Sequence, residues 1–466
     1  AKVVLVSPRL PHTRYTEAMA KQVTFIHAAD LHIGAPFRGL RSLSPAWSKR
    51  LERAIMEAYA RVIDAAIDNE VDFVIIAGDV FDTARASYGD YMDFFKGLQR
   101  LNEADIPVYL VTGNHDPYTS WSRDFVEFPP NTVMFGAESP TFAAYSRNGK
   151  PLCLLGGRSF FNQTWPEDRD ISEGISREEA VLALKRQFTA GADATRGAHA
   201  QSDPKLEANL KAIEKAPFMV GVIHTGLDKD FKAPVKPASL LDRGVDYWAC
   251  GHIHRRQAYP SLKDPRVVFS GDVQGRDINE DGSRGCYLVT LEEKKDPQLR
   301  FIPTASVVWE KLKVDVSECL TVADVTSAIL KEMFSANGKA QCEEMCVRVT
   351  LTGKTDLHET LSRGRVIEDI RENVNASYPV FFCDAIIDKT SAPFDKKALA
   401  KEGLFPASLM AIADQARKSP AELNRYLTEE FLARGLDLPA DVIEHPKRCV
   451  NAAEGLALDL LMEASK

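Results

Sequence analysis

Five short groups of residues in this chain could hold a metal ion: Asp30-x-His32, Gly78-Asp79, Gly113-Asn114-His115-Asp116, His224 and Gly251-His252-x-His254. Asp30, Asp79, Asn114, His32, His115, His224, His252 and His254 together supply two carboxylates, an amide and five imidazoles. Hard oxygen and borderline nitrogen donors in this mix suit manganese, iron(II), zinc or cobalt, and the lack of thiolate argues against a structural zinc of the cysteine type. Asp79 is the candidate bridge, because one carboxylate can span two metals about 3.5–4 Å apart, and such a pair clamps the attacking and leaving oxygens of a phosphoryl displacement. Gly78, Gly113 and Gly251 allow the backbone to turn sharply or to approach the site closely. Each group alone is ordinary. A His in a strand-end loop is usually a hydrogen-bonded structural residue, and Gly-Asp is a common turn. Their joint occurrence is not ordinary, since five of the ten His in the chain fall within these motifs.

The elements that must position these groups are short β-rich runs at 23–29, 72–77, 107–112, 150–156, 217–224, 245–250, 266–270 and 285–291. Helical periodicity separates many of them, at about 47–69, 88–103, 177–190 and 203–215, with a polar Ala/Gly-rich loop from Gly191 to Asp203. This is an α/β pattern. The donors sit at the C-terminal ends of the strands, where an α/β sheet forms its ligand crevice, so the pattern brings them to one rim. From Val307 to Asp395 the order becomes strand, helix, strand, helix, strand, which reads as a small α+β domain. Beyond it the chain reads as helices. In "SPAELNRYLTEEFLARG", Ser419 is the expected N-cap, Pro420 opens the helix, Glu422 completes a capping box and Gly435 stops it. Leu423, Leu427 and Phe431 form an apolar stripe, read either as packing on the protein's own core or as a docking face.

Composition narrows the class. At 466 residues and 45% hydrophobic content the chain is globular and long enough for two or three domains. Apolar runs such as Phe73 to Ala77 are far too short to span a bilayer. The stretch "AKVVLVSPRL" falls short of a secretory signal, which gives a cytoplasmic address by default. Residues 1–22 are set aside as an N-terminal arm, with Met19 a candidate natural start that mass spectrometry of the native protein would test. Eight Cys without a CxxC pair argue for reduced thiols, and Cys342 with Cys346 is only a weak metal hint. A net charge of −8 weighs against nucleic-acid binding, although bound metals would offset part of it. Local basic stretches exist in "WSKRLERA" (47–54), Arg255-Arg256 and Arg276, with a solvated helix face or loop as the rival reading of each.

D-x-H, G-D, G-N-H-D, H and G-H-x-H in this order resemble the calcineurin-like metallophosphoesterase superfamily over residues 23 to 292. "FIHAADLHIGAPF", "GDVFDTARAS", "GNHDPY" and "GHIHRRQ" with "QGRDINEDGSRGCYLV" are similar to bacterial DNA double-strand-break repair exonucleases of the SbcD-like and especially the YhaO-like kind. The resemblance implies a β-sandwich flanked by helices in α/β/β/α layers over 23–304, a cap domain over 305–395 that helps position DNA, and a helical segment over 396–466 that binds an SMC-like ATPase partner. It also implies Asp30, His32, Asp79 and His254 on a first metal, and Asp79, Asn114, His224 and His252 on a second. His115 is left to assist the scissile phosphate and leaving group, with a metal-bound hydroxide as nucleophile, manganese as the usual metal, and dimerisation through helices such as 47–69.

Asp116 reads as an orienter of a nearby imidazole, joining His115 in the catalytic group, or as a cap of the next turn. Asp82 is a candidate outer partner, and His27 reads as a core histidine. Gln274 and Arg276 are candidate substrate-phosphate contacts, with a surface turn as rival; Val273 replaces the Pro frequent there in the family, which puts that loop's geometry in question. The leading expectation is a two-metal nuclease on DNA. Its rivals are a phosphatase or cyclic-nucleotide phosphodiesterase, favoured by the acidic charge, and a catalytically silent DNA-tethering scaffold, which should lack a ligand and does not.

Overall fold

The structure, a computed structural model, describes residues 22–35, 44–121, 127–166, 169–195, 204–227, 235–340, 344–393, 404–436, 438, 442–443 and 445–464. The expected N-terminal arm, Met19 and Cys342 lie outside the described residues, apart from residue 22.

In chain order the strands are β1 (Gln22–Ala28), β2 (Phe73–Ala77), β3 (Val108–Val111), β4 (Thr132–Met134), β5 (Thr141–Arg147), β6 (Lys150–Arg158), β7 (Phe218–His224), β8 (Tyr247–Gly251), β9 (Gln257–Ser261), β10 (Asp264–Phe269), β11 (Gly285–Glu292), β12 (Gln298–Pro303), β13 (Val307–Asp315), β14 (Glu344–Lys354) and β15 (Phe381–Ser391). Two six-stranded sheets result, β12-β11-β1-β2-β3-β4 and β5-β6-β7-β8-β10-β9. In the first sheet the parallel strands β1 to β4 run out to one edge, and in the second the parallel strands β6-β7-β8-β10 occupy the middle.

The central strands read as unbroken apolar runs because both of their faces are covered. In β1, Val23 and Phe25 join a core between the sheets, while Ile26 and Ala28 face outward. In β2 and β3, Phe73, Ile75, Tyr109 and Val111 point inward, and Val74, Ile76, Val108 and Leu110 outward. The second sheet supplies Phe218, Val220, Val222, Tyr247 and Ala249 to the same inner core. Phe25 and Phe73 stack across neighbouring strands at 4.7 Å. Helices α1 (Pro45–Asp68) and α2 (Tyr88–Glu103) cover the outer face of the first sheet, and α3 (Arg177–Thr195), α4 (Pro204–Glu214) and α5 (Pro237–Leu241) cover that of the second. The layers are thus α/β/β/α, and the strand ends that form the rim come from two facing sheets.

The strands β13, β14 and β15 form a separate three-stranded sheet with α6 (Val322–Lys339), α7 (His358–Leu361) and α8 (Gly364–Ser377) between them. The second helix expected in this segment is broken between Leu361 and Gly364 into α7 and α8. The basic stretch of α1 meets this segment: Trp47 stacks on Phe382 at 5.6 Å, and Arg50 pairs with Glu57 and Glu344. That guanidinium is therefore engaged within the chain, not a solvated basic patch.

Two compact units divide the chain, Ala1–Thr352 with Thr360–Lys389, and Gly353–Glu359 with Thr390–Lys466. In the second unit α9 (Leu404–Lys418), α10 (Pro420–Ala433) and α11 (Pro446–Ala464) pack together, and Arg417 of α9 reaches Asn451 and Glu454 of α11. Pro420 opens α10 and Gly435 ends it with φ +71°, but the Ser419 side chain makes no capping hydrogen bond, so the expected capping box does not form. Leu423, Leu427 and Phe431 are half-buried; the exposed apolar residues are others, including Phe405, Ile412, Tyr426, Leu432, Leu456 and Leu460.

Candidate metal centre

Loops leaving β1 and β2 are stitched together: the Asp30 N–H donates to the Gly78 carbonyl at 3.1 Å, and His32 N–H to Asp79 at 3.0 Å. This forces the side chains of both loops to one side. The cost is backbone strain, since Asp30, His32, Asp79 and His252 all adopt positive φ, at 52°, 47°, 50° and 94°. Non-glycine residues there cost of order 1–3 kcal/mol each, tolerated where the surroundings over-determine the conformation. Gly113 and Gly251 meet a different need. A Cβ on Gly113 would overlap the Asp79 carboxylate, and one on Gly251 would overlap the Ala77 carbonyl.

Two trios result. Ligand atoms of Asp30, His32 and His254 lie within 4.8 Å of one another, as do those of Asp79, His224 and His252. Asp79 sits between them, its Oδ2 3.3 Å from His224 Nε2 and 3.8 Å from His32 Nε2. The His32 and His254 Nε2 atoms are 3.1 Å apart. His224 donates from Nδ1 to the Ala77 carbonyl at 2.9 Å, which aims Nε2 into the cluster. Asn114 Oδ1 is buried without a hydrogen-bond partner, and His224 Nε2 is buried with only the Asp79 carboxylate, at 3.3 Å, before it. Buried polar atoms are rarely left so, and an imidazole nitrogen and an amide oxygen beside carboxylates are what a divalent cation takes. The residues present fit a metal pair.

The electrostatics agree. Burial penalises the His224 charge, but the Asp79 carboxylate more than offsets this and lifts the pKa to about 9. Asp79 is held well below the usual carboxylate range: burial pushes it up, and His224, then His32 and His115, outweigh that. Burial raises Asp30, with the positive His254 and His224 opposing. Burial, then Arg276, drives His32 well below its usual value, keeping its ring neutral. A cation at the cluster would take over the work that a proton on His224 does here.

His115 differs from these. Its N–H donates to Asp79 Oδ1 at 2.8 Å, but its ring is exposed, 5.0 Å from that of His32, and outside both trios. Asp116 is fully buried. Its carboxylate accepts the Gly113 N–H at 2.7 Å and the Val80 N–H at 2.9 Å, so it orients no imidazole and instead locks the β2 and β3 loops together. Burial, then the Asp79 charge, raises its pKa well above normal. Gln274 is likewise committed: buried, it bonds the backbone of Gly275, Ser306 and Val307, and so is not available to substrate. Arg276 is half-buried behind the first trio, bonded to Glu280 at 2.8 Å and 3.2 Å from His254 Nδ1. His27 is a core residue, bonded to Tyr247 at 2.8 Å and lowered by burial to about 3.

Sequence reading missed Glu280. His254 Nδ1 donates to it at 2.6 Å, which points Nε2 at Asp30 and fixes the tautomer. Burial pushes Glu280 up, yet its bonds to His254 and Arg276 hold it well below the usual range. Its four-residue spacing from Arg276 was the one signal available.

The calcineurin-like phosphoesterase family matches residues 23–256, and the YhaO middle domain, described for a metallophosphoesterase, matches residues 309–391. The chain is 30% identical over 340 residues to "Uncharacterized metallophosphoesterase YhaO" of Bacillus subtilis, covering 72% of this chain and 73% of that protein. It is 22% identical to the DNA double-strand break repair protein Mre11 of Aeropyrum pernix, covering 74% of this chain and 76% of that one. With the SbcD component of the SbcCD nuclease of Escherichia coli K12 it shares 27% identity over 58% of this chain and 65% of the other.

Proposed function

The chain belongs to the calcineurin-like phosphoesterase family and is a metal-dependent phosphoesterase, and from that premise we propose that it cleaves phosphodiester bonds of DNA, in repair, with manganese as its metal. The observation that carries this reading is the position of Asp79 between two ligand trios with an exposed imidazole, His115, beside them.

Asp30, His32 and His254 would hold one cation and His224, His252 and Asn114 the other, with the Asp79 carboxylate available to both. When bound, two divalent cations supply Lewis acidity that lowers the pKa of water and neutralises phosphoryl oxygens. His115, free of the cluster, donates a proton or a hydrogen bond to the leaving oxygen. Asp116 holds the loop that presents His115, and Phe160 packs edge-on against His224, its ring 5.7 Å away. Relatives named as DNA repair proteins and nucleases support DNA as substrate. Residues 23–304 are the catalytic domain in this reading, 305–395 the cap, and 396–466 the segment that meets an SMC-like ATPase; exposed Phe405, Ile412, Leu456 and Leu460 support that last assignment. No described helix is long and apolar enough to cross a membrane. A cytoplasmic location belongs to the proposal through DNA as the substrate.

The test is cleavage of a linear duplex and a single-stranded oligonucleotide with Mn²⁺ by the wild type, Asp79→Asn and His115→Ala. Manganese-dependent cutting that falls at least about a hundredfold in both variants is the expected result. Intact DNA alongside hydrolysis of bis-p-nitrophenyl phosphate would move the reading to a small-molecule phosphodiesterase. An ATPase that co-purifies with the full chain and is lost on truncation at residue 395 is expected for the partner.

A further inference from the structure

Beside the metal centre lies a cavity of about 510 Å³ whose wall includes Glu138, Arg158, Phe161, Asn162, Trp165 and Arg169. Its size is that of a small-molecule site. The segment that builds it is continuous with the centre. Phe160 packs on His224, and the next residue, Phe161, lines the cavity. Tyr118 N–H donates to the Phe160 carbonyl at 2.8 Å, and Thr119 donates to that of Phe161 from both N–H (3.3 Å) and Oγ1 (3.1 Å). Tyr118 and Thr119 follow closely on His115, so the cavity wall and the His115 loop are one hydrogen-bonded body.

The chemistry of the wall is cationic and aromatic. Arg158 is only 8% exposed, lies over the Trp165 ring at 4.9 Å, and donates from Nη2 to the Glu138 carbonyl at 2.8 Å. Its Nε is buried with no hydrogen-bond partner. Arg169, whose carbonyl accepts the Trp165 indole N–H at 2.6 Å, adds a second guanidinium. Among the described residues neither is paired with a carboxylate. Of the carboxylates near them in sequence, Asp170 is engaged by Arg243 at 2.7 Å and by Ser172, the Glu138 carboxylate stands exposed at the rim, and Glu167 and Asp168 lie outside the described residues. Burial, then Arg169, pulls the Arg158 pKa below its usual value, and Glu173 and Asp170 offset this only in part. Phe161 presents 44% of its surface to solvent, with the Asn162 amide beside it.

Two guanidiniums that no described carboxylate pairs, with an open aromatic ring and an amide, match an anionic group joined to a flat heterocycle. We propose that the cavity binds one nucleotide of the substrate strand, next to the phosphate presented to the metal centre, with its phosphate on Arg158 and Arg169 and its base on Phe161. The assignment to a substrate strand rests on the DNA-cleaving reading; the affinity for a nucleotide does not. Arginine pairs phosphate in a bidentate fork, and a base stacks on an aromatic ring whatever its identity, so the site is sequence-tolerant.

The experiment titrates the full chain with deoxyadenosine 5′-monophosphate under a chelator, by calorimetry, in the wild type, Arg169→Ala and Phe161→Ala. Both changes are at exposed side chains, which protects the fold, and Arg158→Lys adds a buried variant that keeps the charge. Binding weakened roughly tenfold by each alanine is expected, together with a rise in KM for an oligonucleotide. No binding by the wild type, or equal binding by all variants, overturns the proposal. Inorganic phosphate competing as well as the nucleotide also overturns it, since the base would then contribute nothing. Failure of the DNA-cleaving reading looks different: oligonucleotides stay intact in the wild type while the nucleotide still binds.

Discussion

Glu280 and His27 show how far a single side chain's work depends on a partner remote in sequence. Glu280 belongs to neither trio but holds His254, a member of the first, by its Nδ1 proton. Removing such a partner typically weakens metal binding 10–100-fold. Glu280→Gln should therefore lose about that much affinity for Mn²⁺ by calorimetry and regain activity at raised Mn²⁺; unchanged affinity would assign Glu280 to Arg276 alone. His27 makes a pH argument. Burial holds it at about 3 in the native state, whereas in the unfolded chain it takes a proton below about 6.5. Its contribution to stability is intact above 6.5 and is lost as pH falls toward 3, because only the unfolded state binds the proton. Between pH 6.5 and 5 this amounts to about 2 kcal/mol. His27→Gln should show a smaller drop in denaturation midpoint from pH 7 to pH 5 than the wild type. The positions of the metal-binding candidates were legible in the sequence, because Asp, His, Asn and Gly punctuate apolar strands at their ends. The role of Asp116 was not, since its partners are two backbone N–H groups, and a backbone donor leaves no mark in a sequence.

At the scale of elements, what was readable follows from burial on both faces. The strands covered on two sides, such as β1, β2, β3, β7 and β8, announce themselves as apolar runs, whereas β4 is three residues long and β9 and β12, at sheet edges, carry Pro260 and mixed polar residues. Helix α3 runs to Thr195, past the expected end at 190, through "AGADAT", where alanines outweigh one glycine. Capping separates motif from structure. At α6, Thr321 accepts the Asp324 N–H at 3.2 Å and Asp324 bonds back to the Thr321 N–H at 2.8 Å; at α10, Ser419 makes no such bond. Thr321→Ala should cost about 1 kcal/mol by urea denaturation, while Ser419→Ala should stay within about 0.5 kcal/mol. Equal costs at both positions would mean that the Ser419 cap forms in solution.

For the molecule as a whole, two compact units predict two calorimetric transitions. All the metal-binding candidates lie in the unit formed by Ala1–Thr352 and Thr360–Lys389. Metal at a hundred times its Kd should stabilise that unit by about 2.7 kcal/mol, so a chelator should lower one transition and leave the other in place. A shift of both would show that the units unfold together. The same division of ligands between facing sheets sets the timing of the protein's birth. Asp30 accepts the backbone N–H of His252, 222 residues later, and at 5–20 residues per second a ribosome needs roughly ten to forty seconds to travel between them. β1 must also wait for its antiparallel neighbour β11. From the synthesis of Asp79 until that of His252, Asp30, His32 and Asp79 exist on a nascent chain without the second half of their cage. Metal loading is therefore an event that follows synthesis of most of the catalytic region, and a chain arrested before residue 252 should retain no metal pair.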